Sequence, residues 1–335
     1  MDRNESKKIA LSDTEQDFEM AKRKSRKKST LTAKQRFRLI VLVILLTVVG
    51  AAAFLEHTGI VTFDDVMINA GLKDKPAEHA DTEVHFIDVG QGDCTLVISD
   101  GEAMVIDSGD RDETNKAVDY LVSQGIVDIK YLIVTHPHAD HIGEMSEIIE
   151  RFNVEKFIMP KVTDDIVPTT KIYENMLLSL KNKGIKITKA TDCELELGSC
   201  KVQLFTPKNK SSNLNNCSTL VKVVHGDNSF LITGDCEKEE EKDILSQDFD
   251  ISAKVLKAAH HGSSTSSSAE FLDAVMPRYA VISCGEGNKY GHPHEQTVTR
   301  LGKYADKIYV TMNCGTVIFR SDGEGLSVET EKNTE

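Results

Sequence analysis

The chain has 335 residues and a hydrophobic content of 40%, which is enough for a sizeable core and excludes a protein that is disordered throughout. Residues 1–38 carry 12 Lys and Arg against 6 Asp and Glu, so the formal net charge of −13 leaves −19 for the remainder. That balance argues against a protein that binds nucleic acid through a generally basic surface.

The first predicted element is a membrane-spanning helix at residues 39–55. Its sequence, LIVLVILLTVVGAAAFL, holds no charge and has about the length that is needed to cross a bilayer. A buried core helix would show a polar stripe at helical spacing, which this segment lacks. A cleaved signal peptide is the closer alternative, because residues 51–53 are all alanine, but the polar lead of 38 residues is long for one. We therefore predict an uncleaved anchor.

Basic residues before this helix set its predicted orientation. Since basic flanks stay in the cytoplasm, residues 1–38 are predicted to be a basic cytoplasmic tail, and everything after residue 55 to be extracellular. Residues 56–81 are mixed and end in a polar run, which suits a spacer, and residues 82–335 are predicted to be the catalytic domain. The protein is thus expected in the cell membrane as a single-pass protein, in contact with the lipid bilayer through residues 39–55.

From residue 82 onward, short apolar runs alternate with helical stretches. About a dozen runs, from VHFIDV to TVIFR, are typical of strands that are apolar on both faces, which indicates sheets covered by helices. Between several of them lie helical stretches, among them ETNKAVDYLVSQG, GEMSEIIERF, KIYENMLLSLKNKG, EKEEEKDILSQ and HEQTVTRLGKYAD. The pattern predicts an α/β layered domain of around 250 residues.

Seven cysteines are present, and outside the cytoplasm some of them could form disulfides. Cys193 and Cys200 flank a predicted hairpin turn, while Cys284 and Cys314 each end an apolar run. These are the two predicted disulfides. The alternative is that all seven are small buried residues without a partner.

The stretch THPHADHIGE, residues 135–144, holds the densest group of metal-binding side chains. It follows the apolar run YLIVT and precedes a stretch of helical spacing, so it is predicted on a strand-to-helix turn, where loops often carry chemistry. Imidazole and carboxylate groups suit zinc or manganese. Four ligands within six residues can hardly all surround one ion, so two ions are predicted. These ligands are His136, His138, Asp140 and His141.

At this point the sequence resembles the metallo-β-lactamase-fold hydrolases, whose HxHxDH signature is present as HPHADH. In particular it resembles the extracytoplasmic hydrolase domain of the ComEC-type competence proteins, and the phosphorylcholine esterases share the same pattern. The matching pieces run in the family's order from residue 84 to about residue 319: FIDVGQGDCTLV, VIDSGD, THPHADHIGE, NNCSTLVKV, FLITGD, KAAHHGSSTS and YGHPHEQTVTRL.

The resemblance implies an αββα sandwich of two mixed sheets flanked by helices, preceded here by the transmembrane helix. It also implies ligand roles: His136 and His138 would hold one ion, Asp140, His141 and His261 the second, and Asp235 would bridge the two. Asp107 would orient a ligand histidine. His260 is predicted to contact substrate, although either His260 or His261 could be the ligand, because neighbouring strand positions point opposite ways. The following GSSTSSS is interpreted as a loop of the site.

The sequence departs from the family's pattern at the ligands of the first ion. Many members of the wider superfamily supply a third histidine, but the corresponding region here reads NLNNCSTLV. The first ion is therefore expected to be held weakly, or completed by water and substrate oxygens. Asn216 and Ser218 are predicted to contact substrate or water, with loop capping as the alternative. His225 is interpreted as a turn residue, and His292 and His294 are predicted to steady the phosphate, with a simple turn before a helix as the alternative.

The implied function is hydrolysis by a hydroxide held on two divalent ions, Zn²⁺ or Mn²⁺. No GxSxG motif is present, and Cys94 and Cys236 lack basic neighbours that would activate a thiolate. Three functions stay open: a membrane-anchored nuclease, a phosphoesterase acting on a cell-surface polymer or small ester, and a non-catalytic interaction protein that metal stabilises. The expected partners are the bilayer and a phosphate-ester substrate, for which DNA is one candidate; no protein partner is predicted. The proposed catalytic residues are Asp140, His260, Asn216 and His294.

Overall fold

The computed structural model describes residues 67–68, 77, 80–111 and 115–332. The chain divides into two compact units, Met1–Lys73 and Asp74–Glu335, and the fold below is that of the second unit. The described residues contain no helix that is both long and apolar enough to cross a bilayer. The predicted spanning segment at 39–55 and the tail at 1–38 lie outside the described residues.

The described residues form fifteen strands. In chain order these are β1 Thr82–Phe86, β2 Thr95–Ser99, β3 Glu102–Ile106, β4 Asp128–Ile133, β5 Asn153–Met159, β6 Ile187–Lys189, β7 Cys193–Leu197, β8 Cys200–Phe205, β9 Leu220–His225, β10 Asn228–Ile232, β11 Val255–Lys257, β12 Tyr279–Ile282, β13 Lys307–Val310, β14 Val317–Ser321 and β15 Leu326–Thr330. One sheet has the order β15-β14-β1-β2-β3-β4-β5-β6, and the other has the order β13-β12-β11-β10-β9-β8-β7.

The helices connect these strands. They are α1 Lys116–Ser123, α2 Ala139–Ile142, α3 Met145–Arg151, α4 Lys171–Lys183, α5 Lys238–Leu245, α6 Ala269–Val275, α7 Glu295–Leu301 and α8 Thr311–Cys314, with 3₁₀ turns at Leu214–Cys217 and His260–Gly262. The longest, α4, begins where Thr170 accepts a hydrogen bond from the Tyr173 amide and ends at Gly184 in a left-handed conformation, as helix caps require.

Three apolar clusters define the layers. One contains residues of both sheets and fills the space between them. A second packs α1, α3 and α4 against the outer face of the eight-stranded sheet, and a third packs α5, α6 and α7 against the outer face of the other sheet. Alternation along β3 shows why both faces are apolar: Met104 and Ile106 point between the sheets, whereas Ala103 and Val105 lie under the helices. The predicted sandwich of two mixed sheets flanked by helices is confirmed.

Parallel strands bring the loops of interest to one edge of each sheet. Strands β3 to β6 pair in parallel, and so do β10 to β13. The segment from His136 follows β4, Asp235 follows β10, and the His260–Gly262 turn follows β11. Since the carboxyl ends of parallel strands share an edge, these loops meet there.

Both predicted disulfides are wrong, because all seven cysteines are free. In the β7–β8 hairpin, Cys193 pairs with Leu204 while Cys200 pairs with Leu197. The two cysteines are therefore separated by about 13 Å along the hairpin, and a disulfide requires Cα atoms within about 7 Å. Cys314 instead directs its Sγ toward its own helix, 3.1 Å from the Val310 carbonyl oxygen.

Candidate metal centre

The loop after β4 is held by a buried carboxylate and a close backbone contact. Asp107 accepts hydrogen bonds from the Thr135 amide at 2.8 Å and the Thr135 hydroxyl at 2.6 Å. On the other side, the Asp93 amide donates to the Asp140 carbonyl. A Cβ at Gly92 would lie 2.1 Å from that same carbonyl oxygen, so only glycine permits this approach. The loop is therefore rigid where its ligands project.

Two histidines and a carboxylate define the first candidate metal position. The Nε2 of His136 lies 2.9 Å from the Nδ1 of His138 and 3.8 Å from the Oδ2 of Asp235. Burial and the neighbouring His141 hold the pKa of His136 well below its usual value. His136 is thus neutral, which is the form that binds a cation.

The second candidate position lies on the other side of Asp235. The Oδ1 of Asp235 is 3.2 Å from the Nε2 of His141 and 3.6 Å from the Nε2 of His261. The Nε2 of His261 is also 3.2 Å from the Oδ2 of Asp140. Asp235 therefore faces both positions with different oxygens, which is the arrangement that a bridging carboxylate requires.

Three donor atoms at the second position have no hydrogen-bond partner among the described residues. They are the Nε2 atoms of His141 and His261 and the Oδ1 of Asp235, and all three are buried. Leaving such groups unpaired in a protein interior is costly, whereas a cation would satisfy all three. The set of imidazole nitrogens and carboxylate oxygens suits Zn²⁺ or Mn²⁺, so the residues present fit a divalent metal.

The charges of the cluster compensate one another. Burial disfavours an ionised Asp235, yet His261 and His141 hold its pKa well below the usual range. Burial lowers the pKa of an imidazole, but Asp235 and Asp107 raise the pKa of His141 well above its usual value. Asp235 and Asp93 outweigh burial in the same way and raise the pKa of His261 to about 10. A divalent cation would displace these protons.

Each histidine of the second position is oriented through its other ring nitrogen, His141 by the Asp107 carboxylate and His261 by the Ser283 carbonyl oxygen. The Nδ1 of His141 lies 2.8 Å from the Oδ2 of Asp107, the pairing expected for Asp107. The Nδ1 of His261 lies 2.9 Å from the Ser283 carbonyl oxygen and 3.2 Å from the Oδ1 of Asp93. Such contacts fix the orientation and tautomer of a ligand histidine.

Sequence reasoning missed Asp93 and its partner Lys257. The Lys257 ammonium contacts the Oδ2 of Asp93, and both side chains are almost fully buried. The lysine inside the otherwise apolar run VLKAA is the signal that could have identified the pair, because a buried lysine requires a partner. The two residues are 164 positions apart, so spacing alone could not join them.

The 3₁₀ turn Leu214–Cys217 presents a different asparagine from the predicted one. Asn216 is occupied within the loop: its Nδ2 donates to Glu239 at 3.1 Å and its Oδ1 accepts from the Glu237 amide at 3.2 Å. Asn215 lines the metal pocket instead, and its buried Oδ1 has no partner among the described residues. The Oγ of Ser218 lies 3.5 Å from the Nδ1 of His136 and accepts from the Asp235 amide.

A pocket of about 290 Å³ opens onto the cluster. Its described wall comprises His138, Ala139, Asp140, Asn215, Asp235, His260, His261, Tyr290 and His292. His260 is partly exposed, and its Nδ1 lies 3.2 Å from Glu237. His260 and His261 both have a positive φ in a 3₁₀ turn, so the alternation of side chains along a strand does not govern where they point.

His292 and His294 differ in their relation to this pocket. The ring of His292 stacks on Tyr290 and lies 5.4 Å from the ring of His260. Burial and the nearby His261 and His260 lower the pKa of His292 to about 4, so it is neutral at neutral pH. His294 lies outside the described wall, and its Nδ1 accepts a hydrogen bond from the Ser264 amide.

His225 is remote from the cluster. It ends β9, is buried, and its Nδ1 lies 2.9 Å from the Ser321 hydroxyl. It joins the two sheets and does not replace the missing third histidine.

Known proteins resemble the chain over the region that forms this site. Residues 87–286 match the family described as "Metallo-beta-lactamase superfamily". The chain is 29% identical over 265 residues to ComE operon protein 3 of Bacillus subtilis, and this match covers 73% of the chain and 34% of that protein. It is 31% identical over 250 residues to Recombination protein 2 of Haemophilus influenzae, and this match covers 72% of the chain and 29% of that protein. The chain spans about a third of the length of these relatives.

Among solved structures, CmlA, a diiron beta-hydroxylase from Streptomyces venezuelae, matches with a TM-score of 0.50 and 13% sequence identity. The match covers 77% of this chain and 59% of that one. At this identity the likeness concerns the fold alone.

Proposed function

The chain belongs to the metallo-β-lactamase superfamily, and from that premise we propose that it is a dinuclear metal-dependent phosphodiesterase that cleaves nucleic acid. The observation that carries the proposal is the convergence of three buried donor atoms, on His141, His261 and Asp235, that make no hydrogen bond among the described residues. The kinship with Recombination protein 2 of Haemophilus influenzae supports nucleic acid as the substrate class.

Each ligand residue then has a proposed role. His136 and His138 would hold one cation, Asp140, His141 and His261 the second, and Asp235 would contact both. Bound in this way, the cations would supply a water of lowered pKa and polarise the phosphoryl oxygens.

The remaining polar groups of the pocket would bind and orient the substrate. His260 is restrained by Glu237 at 3.2 Å, so its ring can face a phosphate without first losing much conformational freedom. The neutral His292, on the same wall, can donate one hydrogen bond to a phosphate or leaving-group oxygen. Asp140 lies at the boundary between the cluster and the open pocket and could also hold the attacking water.

A phosphoesterase acting on a small ester or a cell-surface polymer is the second candidate. The metal pocket, at about 290 Å³, is large enough for one phosphate ester group, which favours this alternative over a non-catalytic interaction protein. The two candidates differ in substrate and not in the proposed metal chemistry.

Membrane attachment is part of the proposal. Residues 39–55 would anchor the chain, with residues 1–38 in the cytoplasm and the catalytic domain outside the cell, and residues 56–81 would be the spacer. Protease added to intact cells should then remove the catalytic domain, whereas full protection until lysis would contradict this orientation.

The catalytic proposal is tested with the full chain in detergent, supplied with Mn²⁺ or Zn²⁺. We expect hydrolysis of single-stranded DNA, and also of bis(p-nitrophenyl) phosphate, that is lost in His136→Ala. The matched control is His225→Gln, which changes a buried histidine away from the cluster. Hydrolysis of the small ester alone would favour the second candidate, and bound metal without turnover of either substrate would contradict both.

A further inference from the structure

A second cavity lies beside the metal pocket at the same edge of the eight-stranded sheet. Because β4, β5 and β6 are parallel, the loops that follow them emerge side by side. Residues 160–164 after β5 and residues 189–192 around the end of β6 form two walls of this cavity. Adjacent strands are about 4.8 Å apart, so the cavity begins one strand away from the loop that carries His136.

A single turn separates this cavity from the metal pocket. Residues 206–211 form the third wall and lead into the turn Leu214–Cys217. Cys217 of that turn lines the second cavity, while Asn215 lines the metal pocket. A linear substrate that passes over the turn would therefore contact both.

The second cavity is positively charged, although the chain as a whole is negative. Its lining includes four exposed lysines and two carboxylates: Lys161, Lys189, Lys208, Lys210, Asp164 and Asp192. Within the part of the chain that the structure describes, no ammonium group of the four lies within 4.0 Å of a carboxylate. Asp192 is already occupied, because its Oδ1 accepts hydrogen bonds from the amide and hydroxyl of Thr206.

A cavity at the opposite edge of the same sheet provides a contrast. It has a volume of about 500 Å³ and is lined by Glu102, Asp128 and Glu155 together with Lys130 and Lys183. There the Lys130 ammonium is paired with Glu102 at 2.6 Å, and that of Lys183 donates to the Glu150 carbonyl. Carboxylates outnumber lysines in that groove, whereas lysines outnumber carboxylates in the second cavity at the metal-site edge.

We propose that the second cavity binds the phosphates of single-stranded DNA on one side of the bond to be cleaved. Lysine ammonium groups and the hydroxyls of Thr163, Thr191 and Ser211 on its walls are groups that contact phosphates in nucleic-acid complexes. Contacts to phosphates carry no sequence information, so we expect the cavity to bind the strand independently of its base sequence.

The relative sizes of the cavities connect this inference with the choice of substrate. The second cavity has a volume of about 570 Å³, against about 290 Å³ for the metal pocket. A small ester would use the metal pocket alone, whereas a polymer would use both. The inference thus rests on the proposed function and favours its polymer-cleaving form.

The test compares two double variants of the full chain, each of which removes two positive charges. Lys161→Gln/Lys210→Gln alters the cavity, and Lys181→Gln/Lys186→Gln is the control at exposed positions outside its lining. Fluorescence anisotropy with oligo(dT) is measured over a series of salt concentrations in EDTA, so that no cleavage occurs. Each phosphate contact on a single strand contributes about 0.7 to the slope of log K against log salt.

We expect the cavity variant to lose about 1.4 from that slope and to bind more weakly at each salt concentration, while the control keeps the wild-type slope. With Mn²⁺, the preference of the cavity variant for DNA over the small ester is expected to fall. Equal slopes for the two variants would overturn the inference. Displacement of oligo(dT) only by poly(glycerol phosphate), and not by other single-stranded DNA, would also overturn it.

Failure of the proposed function gives a different result. One outcome is that the wild type hydrolyses neither substrate while the cavity variant still shows the smaller slope of log K against log salt. In that case the binding site is supported and the catalytic proposal fails.

Discussion

Replacement of Lys257 by methionine tests whether its buried ion pair with Asp93 stabilises the metal-site edge. The side chain of Lys257 has no exposed surface and that of Asp93 is 3% exposed. Methionine fills a similar volume but leaves the Oδ2 of Asp93 without its cation, while the His261 ring remains beside the Oδ1. Removal of one partner from a buried pair typically costs about 3–5 kcal/mol, because the remaining charge is uncompensated.

Lys222→Met is the matched control. Lys222 is also nearly buried, but its partner Asp250 has a side chain that is 78% exposed and stays hydrated after the change. The expected loss is therefore at most about 1 kcal/mol. The two variants remove the same group from similarly buried positions. The difference between their free energies of unfolding therefore measures the effect of burying the carboxylate partner.

The assay is urea unfolding in EDTA, followed by circular dichroism because the chain has no tryptophan. Asp93→Asn/Lys257→Met should recover part of the loss of Lys257→Met, since the uncompensated charge is gone. Equal unfolding free energies for Lys257→Met and Lys222→Met would refute the reasoning. A second readout is metal affinity, which Asp93→Asn should lower by about 10–100-fold, because the Asp93 carboxylate lies 3.2 Å from the Nδ1 of His261 and its charge favours His261 as a ligand.

Two further predictions concern a neutral amide and a buried histidine. In calorimetric titration, Asn215→Ala is expected to weaken the binding of the more weakly held Mn²⁺, and Asn215→His is expected to strengthen it. Asn216→Ala should leave this binding unchanged. Equal effects of the two alanine variants would contradict a role for the Asn215 oxygen. Burial holds the pKa of His85 below its usual value, although Glu83 at 3.0 Å opposes this shift. The unfolded chain therefore binds a proton below about pH 6.5 that the folded chain does not, so the free energy of unfolding decreases as the pH is lowered below that value, by at most about 1.4 kcal/mol per pH unit. Urea unfolding at several pH values should show a shallower fall in His85→Gln, and an unchanged slope would contradict the assignment.

The layered fold could be predicted because its central strands are apolar on both faces. Three strands were missed, and all three are edge strands: β6 and β15 of the eight-stranded sheet and β7 of the other. An edge strand buries fewer of its side chains than a central strand does. The most exposed of the three is β6, which has no buried residue. Without an apolar run, such a strand leaves little signal in the sequence.

The cluster from His136 to His141 could be identified because its members are close in sequence and follow a predicted strand. Which asparagine faces the pocket could not be predicted, because a 3₁₀ turn has no fixed inward face that spacing would reveal. The Asp93–Lys257 pair depends on contact between the two sheets, which sequence separation hides. The likeness to a known family supplied the order of the motifs but not these pairings.

The two candidate metal positions differ in how firmly their donors are held, and this difference bears on where substrate would bind. At the second position, the far ring nitrogen of His141 is held by the Asp107 carboxylate and that of His261 by the Ser283 carbonyl oxygen, so the donors are already oriented. At the first, the Nδ1 of His136 lies near the hydroxyls of Thr135 and Ser218 and near no carboxylate among the described residues, and His138 is partly exposed on the pocket wall. A cation at the first position would therefore have fewer and less constrained protein donors. That position is also the one next to Asn215 and the turn leading to the lysine-lined cavity, so we expect phosphate oxygens to enter from this side.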